Sequence, residues 1–432
     1  MSVEIASEPP SLWNGAVKHR PALVVACRSP EDIRGALQRA RDEQLPVSVL
    51  GGGHDWAGRA VRPGGLVIDL RPMRAVAVHD GVADVAGSAT AADLVAAAAT
   101  ANYAAATGAV GAVGMAGLAL GGGYGPLCGV AGLVLDTLLG AEVVLADGSI
   151  ITTDAEHEPE LFWALRGGGG NFGVVTSLRF RLQPHPTVLA GSVLFPFAQA
   201  TEVLVGYGEL VAGAPDALTI QTGVISSPDG TPVVFVNPTW AGELHEGERW
   251  IERVERLGAP IRSMVAPTPY AEPLRRGDQL FAADGRRYAM RTRWLAALTP
   301  EAVSALVAAA RERTSPLSAI NIHHFHGAAT RVGVTDTAFG LRREHLMVEL
   351  LACWREGDDA PHRDWADAAT DRLRPYAVPG GYANLLADND HEQIAHAYGP
   401  NADRLLAVKA SVDPGHVFTA IPLPTIASST SS

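Results

Sequence analysis

The 432-residue sequence has only three cysteines, Cys27, Cys128 and Cys353, and they lie far apart. An odd number of widely spaced cysteines predicts neither a disulfide framework nor a zinc ribbon, and it is typical of a protein kept in a reducing compartment. The first ten residues contain neither a basic start nor an apolar core, so no secretory signal is predicted there. We therefore expect a cytoplasmic protein.

Clusters of Lys and Arg are also absent, and the formal net charge is −12 at pH 7. Proteins that bind nucleic acid need clustered basic side chains, so a small-molecule substrate is the better hypothesis. The composition is globular, and the length suggests two domains or a large α/β unit with an insertion. Only the tail Ala427–Ser432 is predicted to be disordered. A homodimer is compatible with this sequence.

The stretch from Leu94 to Leu135 has no charged residue and is long enough to span a membrane. It contains ten glycines and a Gly-Pro pair, however, and these residues suit a system of folded loops better than a helix facing lipid. We therefore expect no membrane association.

Three consecutive glycines, Gly51 to Gly53, lead from a short apolar run into His54. Glycine lets successive backbone N–H groups turn toward an anion without an intervening side chain, so this loop predicts a pyrophosphate cradle. His54 follows where the rest of a dinucleotide must lie, which makes it a candidate covalent anchor for a cofactor. The alternative is an uncharged loop histidine that hydrogen-bonds to the backbone.

A second glycine region repeats glycine at every third position from Gly108 to Gly117 and then continues with Gly121–Gly123 and Gly125. Either region alone is compatible with a set of tight turns, but together they predict two cradles for one extended ligand. A nicotinamide fingerprint is not matched, because His54 follows the first loop and the acid near the expected offset, Asp69, belongs to a strand.

The opening of the chain predicts a βαβ-like unit, with strands over Ala22–Ala26, Pro46–Leu50 and Leu66–Leu70 and a helix that begins after Ser29. The first domain continues through the predicted elements Val76–Val85, Thr90–Ala99, Leu139–Leu145, Ile150–Thr152, Glu158–Leu165 and Val174–Leu182. From about Pro184 an α+β insertion with an antiparallel sheet is predicted, with helices at Gly247–Leu257 and Pro300–Arg313 and strands at Val233–Val236, Ala319–Phe325 and Leu346–Trp354.

The chain resembles the FAD-linked oxidases of the vanillyl-alcohol oxidase superfamily, in their berberine-bridge-enzyme-like branch. The matching motifs are Gly51–His54, Gly114–Gly125 with Gly132, Leu133 and Asp136, the segment Glu160–Val175, and the C-terminal Tyr382–Asn384, Ala397–Gly399, Arg404, Leu405, Lys409, Asp413 and Pro414. The resemblance implies an α+β fold with a two-lobed PCMH-type FAD-binding domain over 1–183. It also implies a substrate domain over 184–380, whose antiparallel sheet is covered by helices, and a segment over 381–432 that returns to the flavin.

The implied cofactor is FAD, joined through His54 to the 8α-methyl carbon of the flavin. In doubly tethered members a cysteine stands at the position of Val110, and Cys128 lies eighteen residues too late, so we expect a single tether. The other cofactor-binding residues that the resemblance implies are Val49, Leu50, Gly51, Gly52, Gly53, Asp55, Gly58, Thr107, Gly108, Val110, Val113, Gly114, Gly117, Leu118, Gly122, Tyr124, Gly132, Leu133, Asp136, Gly173, Val175, Tyr382 and Asn384.

Candidate catalytic residues lie on two predicted strands. The two-residue period of a strand puts Asn321, His323 and Phe325 on one face and His324 and His326 on the other. Adjacent histidines that point in opposite directions, with no nearby Cys or acid, do not form a metal site, so no metal is expected. The resemblance places Asn321 and His323 toward the flavin, where His323 could accept a substrate proton.

Glu349 shares a strand face with Met347 and Leu351, and related plant oxidases carry a flavin-facing glutamate that aligns with Met347. Glu349 either serves this face or is a buried salt-bridge partner. Tyr382 and Asn384 match the family segment that reaches back to the active site. Leu385 stands where some plant members have a tyrosine base, and Thr419–Leu423 replace a final family motif, so the plant mechanism does not transfer directly.

The sequence thus predicts an oxidase that takes a hydride from a C–H next to N or O of a small molecule or natural-product intermediate. Dioxygen would reoxidise the flavin and yield hydrogen peroxide. An amine or alcohol is favoured over a sugar because the second tether is missing. The alternatives are a flavin-dependent cyclase or isomerase without net oxidation, and a binding protein without turnover.

Overall fold

The first sheet of the protein has four strands in the order β1-β2-β4-β3. The computed structural model describes residues 4–6, 10–184 and 187–424, so the predicted disordered tail Ala427–Ser432 lies outside the described residues. The elements are β1 Glu4–Ala6, β2 Leu23–Ala26, α1 Pro30–Asp42, β3 Val47–Leu50 and β4 Leu66–Asp69. Both β2 and β3 run parallel to β4, and the Ser29 side chain caps α1 by accepting from Asp32 N at 3.2 Å. The predicted βαβ-like opening is confirmed.

The second sheet has five antiparallel strands in the order β5-β6-β9-β7-β8. The elements of this region are β5 Val76–His79, β6 Val82–Ala86, α2 Ala91–Thr100, α3 Met115–Gly121, α4 Cys128–Ala131, β7 Leu138–Val144, β8 Ile150–Asp154, α5 Pro159–Leu165 and β9 Val174–Arg181. The uncharged stretch Leu94–Leu135 is divided among α2, α3, α4 and loops. None of the helices in the described ranges combines the length and the apolar character that crossing a bilayer requires.

The third sheet is a large antiparallel sheet whose main order is β14-β11-β13-β12-β17-β18-β16-β19, with β10 paired to β13 and β15 paired to β10. Its strands are β10 Thr187–Ala190, β11 Val193–Pro196, β12 Leu218–Ser226, β13 Pro232–Trp240, β14 Arg262–Ser263, β15 Ala266–Pro269, β16 Arg287–Leu295, β17 Ala319–Phe325, β18 His345–Trp354 and β19 Ala377–Val378. The helices among them are α6 Ala200–Val211, α7 Leu244–Glu255, α8 Ala271–Leu280, α9 Pro300–Arg311, α10 Ala328–Arg331 and α11 Ala360–Leu373.

One face of the third sheet is apolar and is covered by helices. Ile322 of β17 and Val348 of β18 are fully buried there against Leu204 of α6, Leu306 of α9 and Trp365 of α11. The opposite face carries the alternate residues of the same strands, because successive side chains point to opposite sides of a sheet. An antiparallel sheet covered by helices on one side is the predicted α+β fold class, which is confirmed.

The C-terminal segment carries α12 His391–His396 and α13 Ala402–Val412. Leu405 of α13 is fully buried in the same hydrophobic core as Ala164 and Leu165 of α5, so the chain returns to the first domain after the third sheet. Lys409 fixes this return, because its Nζ donates to the backbone carbonyls of Asn171 at 2.6 Å and Phe418 at 2.7 Å.

Candidate functional site

A cavity of about 370 Å³ lies where the two glycine regions meet the third sheet. Twenty of the residues predicted from the sequence as cofactor-binding or catalytic line it. They are Val49, Gly51, Gly52, Gly53, His54, Asp55, Gly108, Val110, Val113, Gly114, Gly117, Leu118, Tyr124, Gly173, Val175, Asn321, His323, Glu349, Tyr382 and Asn384. Segments that are more than 300 residues apart in the sequence thus form one site.

The two glycine regions touch each other through bare backbone. A Cβ atom built on Gly52 would lie 2.5 Å from Gly114 N, and one built on Gly114 would lie 2.8 Å from Gly52 N. Gly53 also has a φ of +68°, in the left-handed region that favours glycine. Any larger residue at Gly52 or Gly114 would push the two loops apart, so the glycines are needed for the cradle itself.

His54 lies at the end of the first cradle with one imidazole nitrogen that has no hydrogen-bond partner. This nitrogen, Nε2, is buried and unpartnered among the described residues, while the ring also has a hydrogen bond to its own backbone. Burial lowers the pKa of His54 to about 4, so the ring is neutral at neutral pH. A neutral imidazole with an unengaged nitrogen is a nucleophile, and these residues fit a group attached at His54.

Asn321, His323 and Glu349 form one polar group on the cavity face of the third sheet. Asn321 pairs directly with Glu349 across β17 and β18, and its Nδ2 donates to Glu349 Oε2 at 3.2 Å. His323 Nε2 lies 3.2 Å from the same oxygen, without the alignment of a regular hydrogen bond, so we treat this pair as an electrostatic contact. Glu349 therefore lines the cavity and also contacts His323, so both sequence-based alternatives for Glu349 stay open.

The Glu349 carboxyl is held in its charged form by its neighbours. Burial alone would raise the pKa of Glu349, but the attraction of His323 and the hydrogen bond from Asn321 outweigh burial and lower that pKa below its ordinary value. Glu349 is consequently a carboxylate at neutral pH. It lies where it can stabilise a positive charge on His323.

Tyr382 and Asn384 bring the C-terminal segment onto the second glycine region. The Tyr382 hydroxyl accepts from Gly123 N at 2.9 Å and from Asn384 Nδ2 at 3.1 Å, and the same amide donates to Gly117 O at 3.1 Å. Burial raises the pKa of Tyr382 to about 12. Because its oxygen accepts both of these bonds, the hydroxyl proton of Tyr382 is available to a group in the cavity.

Tyr124 lines the cavity with its ring, while its hydroxyl belongs to a buried network. Trp294 Nε1 donates to this hydroxyl at 3.1 Å, and the hydroxyl lies 2.7 Å from His345 Nε2. His324 and His326, on the other side of β17 from His323, stack with ring centroids 3.8 Å apart. Within the described ranges, no group of three or more His, Cys, Asp or Glu side chains is arranged to hold a metal ion.

Seven of the predicted cofactor-binding residues do not line the cavity, namely Leu50, Gly58, Thr107, Gly122, Gly132, Leu133 and Asp136. Three of them, Leu50, Leu133 and Asp136, support the loops around the cavity. Leu50 is fully buried in a core with Val24 and Val67. Asp136 is ion-paired with Arg342 at 2.8 Å, and its carboxylate also accepts from Leu133 N at 2.8 Å. A direct contact of these seven residues with the cofactor stays a prediction.

Several residues that complete the cavity, above all Trp13, were not predicted from the sequence. Its indole lies between His54 and Tyr288, which is 275 residues further along the chain. Asn14 holds this junction, because its Nδ2 donates to Tyr288 O and its Oδ1 accepts from Tyr288 N, each at 2.9 Å. No local motif marks Trp13 or Asn14, since their role comes from contacts between distant segments.

Comparisons with known proteins agree with this site. A family model described as FAD binding domain matches residues 21–154, and one described as Berberine and berberine like matches residues 381–421. (R)-6-hydroxynicotine oxidase of Paenarthrobacter nicotinovorans is 31% identical over 439 positions, covering 94% of this chain and 92% of that protein. The FAD-linked oxidoreductase aurO of Gibberella zeae is 29% identical and covers 94% of this chain and 81% of that protein.

Solved structures show the same architecture. The crystal structure of 6-hydroxy-D-nicotine oxidase from Arthrobacter nicotinovorans superposes with a TM-score of 0.87 at 28% identity and covers 98% of both chains. A glucooligosaccharide oxidase from Acremonium strictum, described with a 6-S-cysteinyl, 8α-N1-histidyl FAD, gives a TM-score of 0.86 at 24% identity and shares the fold. This chain is an FAD-linked oxidase and belongs to the berberine-bridge-enzyme-like branch of the vanillyl-alcohol oxidase superfamily.

Proposed function

We propose that this oxidase attaches FAD through His54 alone and removes a hydride from a C–H bond next to N or O of a small molecule. The observation that carries the proposal is the neutral imidazole of His54, whose buried Nε2 has no partner among the described residues and which lines the same cavity as the Asn321–His323–Glu349 group. FAD, when bound, supplies a hydride acceptor that dioxygen returns to its oxidised form with release of hydrogen peroxide.

A single tether is supported by the side chains around the cavity. Val110, at the position of the second tether in doubly attached members, lines the cavity but has no nucleophilic atom. Cys128 is not among the cavity-lining residues and is buried with Tyr124 and Leu133. Burial raises the pKa of the Cys128 thiol to about 12, which keeps it protonated and unreactive at neutral pH.

We propose that His323 transfers the substrate proton with the help of Glu349 and Asn321. A substrate O–H or N–H must lose its proton as the adjacent C–H loses hydride, because otherwise a high-energy cation forms. We assign His323 as the group that accepts this proton. Glu349, 3.2 Å away, stabilises the resulting charge, and Asn321 orients the Glu349 carboxylate. The Tyr382 hydroxyl donates a hydrogen bond to an acceptor atom of the bound FAD or of the substrate.

An amine or alcohol in small-molecule or natural-product metabolism is our proposed substrate class, in preference to a sugar. One relative is named for a hydroxynicotine and another for a glucooligosaccharide, so the relatives of this chain include oxidases of amines or alcohols and oxidases of sugars. The missing second tether favours an amine or alcohol over a sugar. The apolar side chains Trp13, Phe281, Met290 and Leu351, which line the cavity, also favour an apolar substrate body over a sugar.

Acid precipitation tests the covalent link directly. The visible flavin spectrum of the purified protein is recorded, the protein is precipitated with acid, and the colour of pellet and supernatant is compared. We expect yellow colour in the pellet for the native protein and in the supernatant for His54→Ala. Colour released from the native protein would show that His54 only lines the site.

Oxidation itself is tested by mixing the holoenzyme with candidate amines and alcohols. Under anaerobic conditions a true substrate bleaches the flavin, and in air it yields peroxide. Product formed with an unchanged spectrum would instead indicate a cyclase or isomerase. Peroxide from sugars alone would contradict the proposed substrate class.

A further inference from the structure

A second chamber of about 260 Å³ opens beside the cavity described above. The two spaces adjoin along the cavity face of the third sheet, since they share the lining residues Ala109, Tyr124, Gln221, Phe281, Asn321 and His323. A molecule whose reacting end lies at His323 can therefore extend into this chamber. Its walls determine what the far end of that molecule can be.

The charged side chains that line the second chamber are cationic. Arg276 and Arg286 are among its lining residues, and no Asp or Glu is. Arg286 already has a counterion, because its Nε lies 2.8 Å from Asp284 Oδ1, although Asp284 also pairs with Arg355. Arg276, an exposed residue of α8, has no ion pair or hydrogen bond with any residue that the structure describes.

The acidic residues of α8 are engaged elsewhere and do not balance Arg276. Asp278 Oδ1 accepts from Ala112 N at 2.8 Å, and Glu272 pairs with Arg275. No carboxylate of the described residues is thus paired with Arg276 at the wall of this chamber, in a protein whose formal net charge is −12. Such a local charge attracts an anion even though the whole protein is acidic.

Hydrogen-bond donors also line the chamber. Gln221 and Asn237 face each other across β12 and β13. Asn237 Oδ1 accepts from Ser192 Oγ at 2.7 Å, which leaves the Asn237 amide hydrogens for a ligand. Ser226 Oγ is buried without a partner among the described residues.

We propose that the second chamber binds a carboxylate at the far end of the substrate, paired with Arg276 and hydrogen-bonded by the amide of Asn237. The inference rests on the proposed function for one point only, namely that the reacting end of the substrate lies at His323. It narrows the substrate class to amines or alcohols that carry an acid group at a distance from the oxidised carbon. The described lining residues include no acidic side chain and provide free hydrogen-bond donors. Together these features favour binding of a carboxylate over binding of a neutral amide of the same shape.

Binding by the holoenzyme tests this without turnover. Isothermal titration calorimetry is carried out with 3-phenylpropanoate, 4-phenylbutyrate and 5-phenylpentanoate, and with the matching amides. We expect at least one carboxylate to bind more tightly than its amide, with a preference that falls as salt is raised, because the pairing arginine is exposed. If no carboxylate in the series binds more tightly than its amide, the proposal is overturned.

Variants of two arginines provide the test and its control. Arg276→Gln should abolish the preference for acid over amide, a change of roughly tenfold for a charge-assisted pair, while Arg276→Lys should retain part of it. Arg249→Gln, which alters an exposed arginine of α7 that does not line the chamber, should leave the preference unchanged. An equal loss in Arg249→Gln and Arg276→Gln would contradict a specific site.

The two proposals can fail separately. A protein that binds the carboxylates through Arg276 but produces no peroxide from any amine or alcohol would retain the anion chamber and lose the oxidase function proposed above. A protein that oxidises uncharged amines with no benefit from an acid group, and shows equal binding of acids and amides, would retain the oxidase function and lose the chamber.

Discussion

The indole of Trp13 stacks on the imidazole of His54, with ring centroids 4.4 Å apart and planes inclined by 17°. On its other side, Trp13 stacks on Tyr288 with centroids 3.8 Å apart. Trp13 N donates to Gly53 O at 3.0 Å, and Trp13 Nε1 donates to Phe281 O at 2.7 Å. The plane of His54 is therefore fixed by Trp13, which is itself held by Phe281 and Tyr288 after the end of α8, as well as by its own loop.

Replacing Trp13 should reduce covalent attachment more than FAD binding. In Trp13→Ala the His54 ring loses its stacking partner and samples other orientations, so we expect a smaller share of the bound flavin to stay in the acid pellet. Trp13→Phe should recover part of that share. The measurement is the ratio of pellet to total flavin absorbance. Trp250→Ala, a change on α7 away from the cavity, is the control, and an unaltered ratio in Trp13→Ala would contradict this role.

Glu349→Gln should lower kcat while leaving the flavin attached. The amide cannot stabilise a positive charge on His323, so we expect a loss of roughly 10² in kcat, at the lower end of general acid–base effects. Because the pKa of Glu349 is lowered, its protonation should reduce wild-type activity only below the ordinary titration range of a glutamate. The measurement is kcat against pH for both proteins, and this acidic limb should disappear in Glu349→Gln.

The same experiment distinguishes a positioning role from a structural one. A merely structural loss would also reduce the share of flavin retained in the acid pellet and the unfolding midpoint, whereas we expect both to match those of the native protein. Asn321→Asp serves as a second variant, since a carboxylate beside Glu349 would raise the pKa of Glu349 and shift the acidic limb to higher pH. An unshifted limb would count against the proposed coupling.

Val110→Cys should create a second attachment point. Val110 lines the cavity at the position where doubly tethered members carry their cysteine, so a thiol there meets the flavin. We expect the double variant His54→Ala, Val110→Cys to retain flavin in the acid pellet, although His54→Ala alone releases it. Mass spectrometry of the flavin-bearing peptide identifies the residue. Cys128→Ser is the control and should change nothing, because Cys128 is buried away from the cavity.

Features that depend on neighbouring residues could be predicted from the sequence, whereas contacts between distant segments could not. The strand over Ala319–Phe325 was predicted at its exact bounds, and its two-residue period placed Asn321 and His323 on the cavity face. The glycine cradles were equally visible, because a Cβ is excluded there by neighbouring backbone. The ends of other elements differ by a few residues, as for α7, which begins at Leu244 and not at Gly247.

The stack of Trp13 on His54 and the row of Gln221 beside Asn237 have no local signature. Each depends on strands and loops that meet only in the folded chain, so hydrophobic periodicity carries no information about them. The same holds for Asp136, whose motif position suggested a cofactor contact while its carboxylate is paired with Arg342, more than 200 residues away. Sequence patterns thus predicted the residues of the candidate cofactor site, and only the fold brought out the residues packed around them.

His345 should make the protein less stable in acid. His345 Nδ1 donates to Arg343 O at 2.8 Å, and the Tyr124 hydroxyl, which accepts from Trp294, donates to His345 Nε2. Both nitrogens are thus satisfied in the neutral ring, and burial lowers the pKa of His345 to about 3, from 6.5. The unfolded chain therefore binds one more proton between these values, so stability is full above pH 6.5 and falls as the pH is lowered.

The expected slope for one such group is about 1.4 kcal/mol of unfolding free energy per pH unit, once the pH is well below 6.5. Urea unfolding at several pH values between 5.5 and 4 measures it. His345→Gln should reduce the slope of the native protein by about that amount. His245→Gln, at an exposed position of α7, should leave the slope unchanged. The same holds for the replacement of any other histidine that is exposed in both the folded and the unfolded state. Equal slopes for the native protein and His345→Gln would show that His345 can be protonated in the folded state, against the hydrogen-bond pattern of Tyr124.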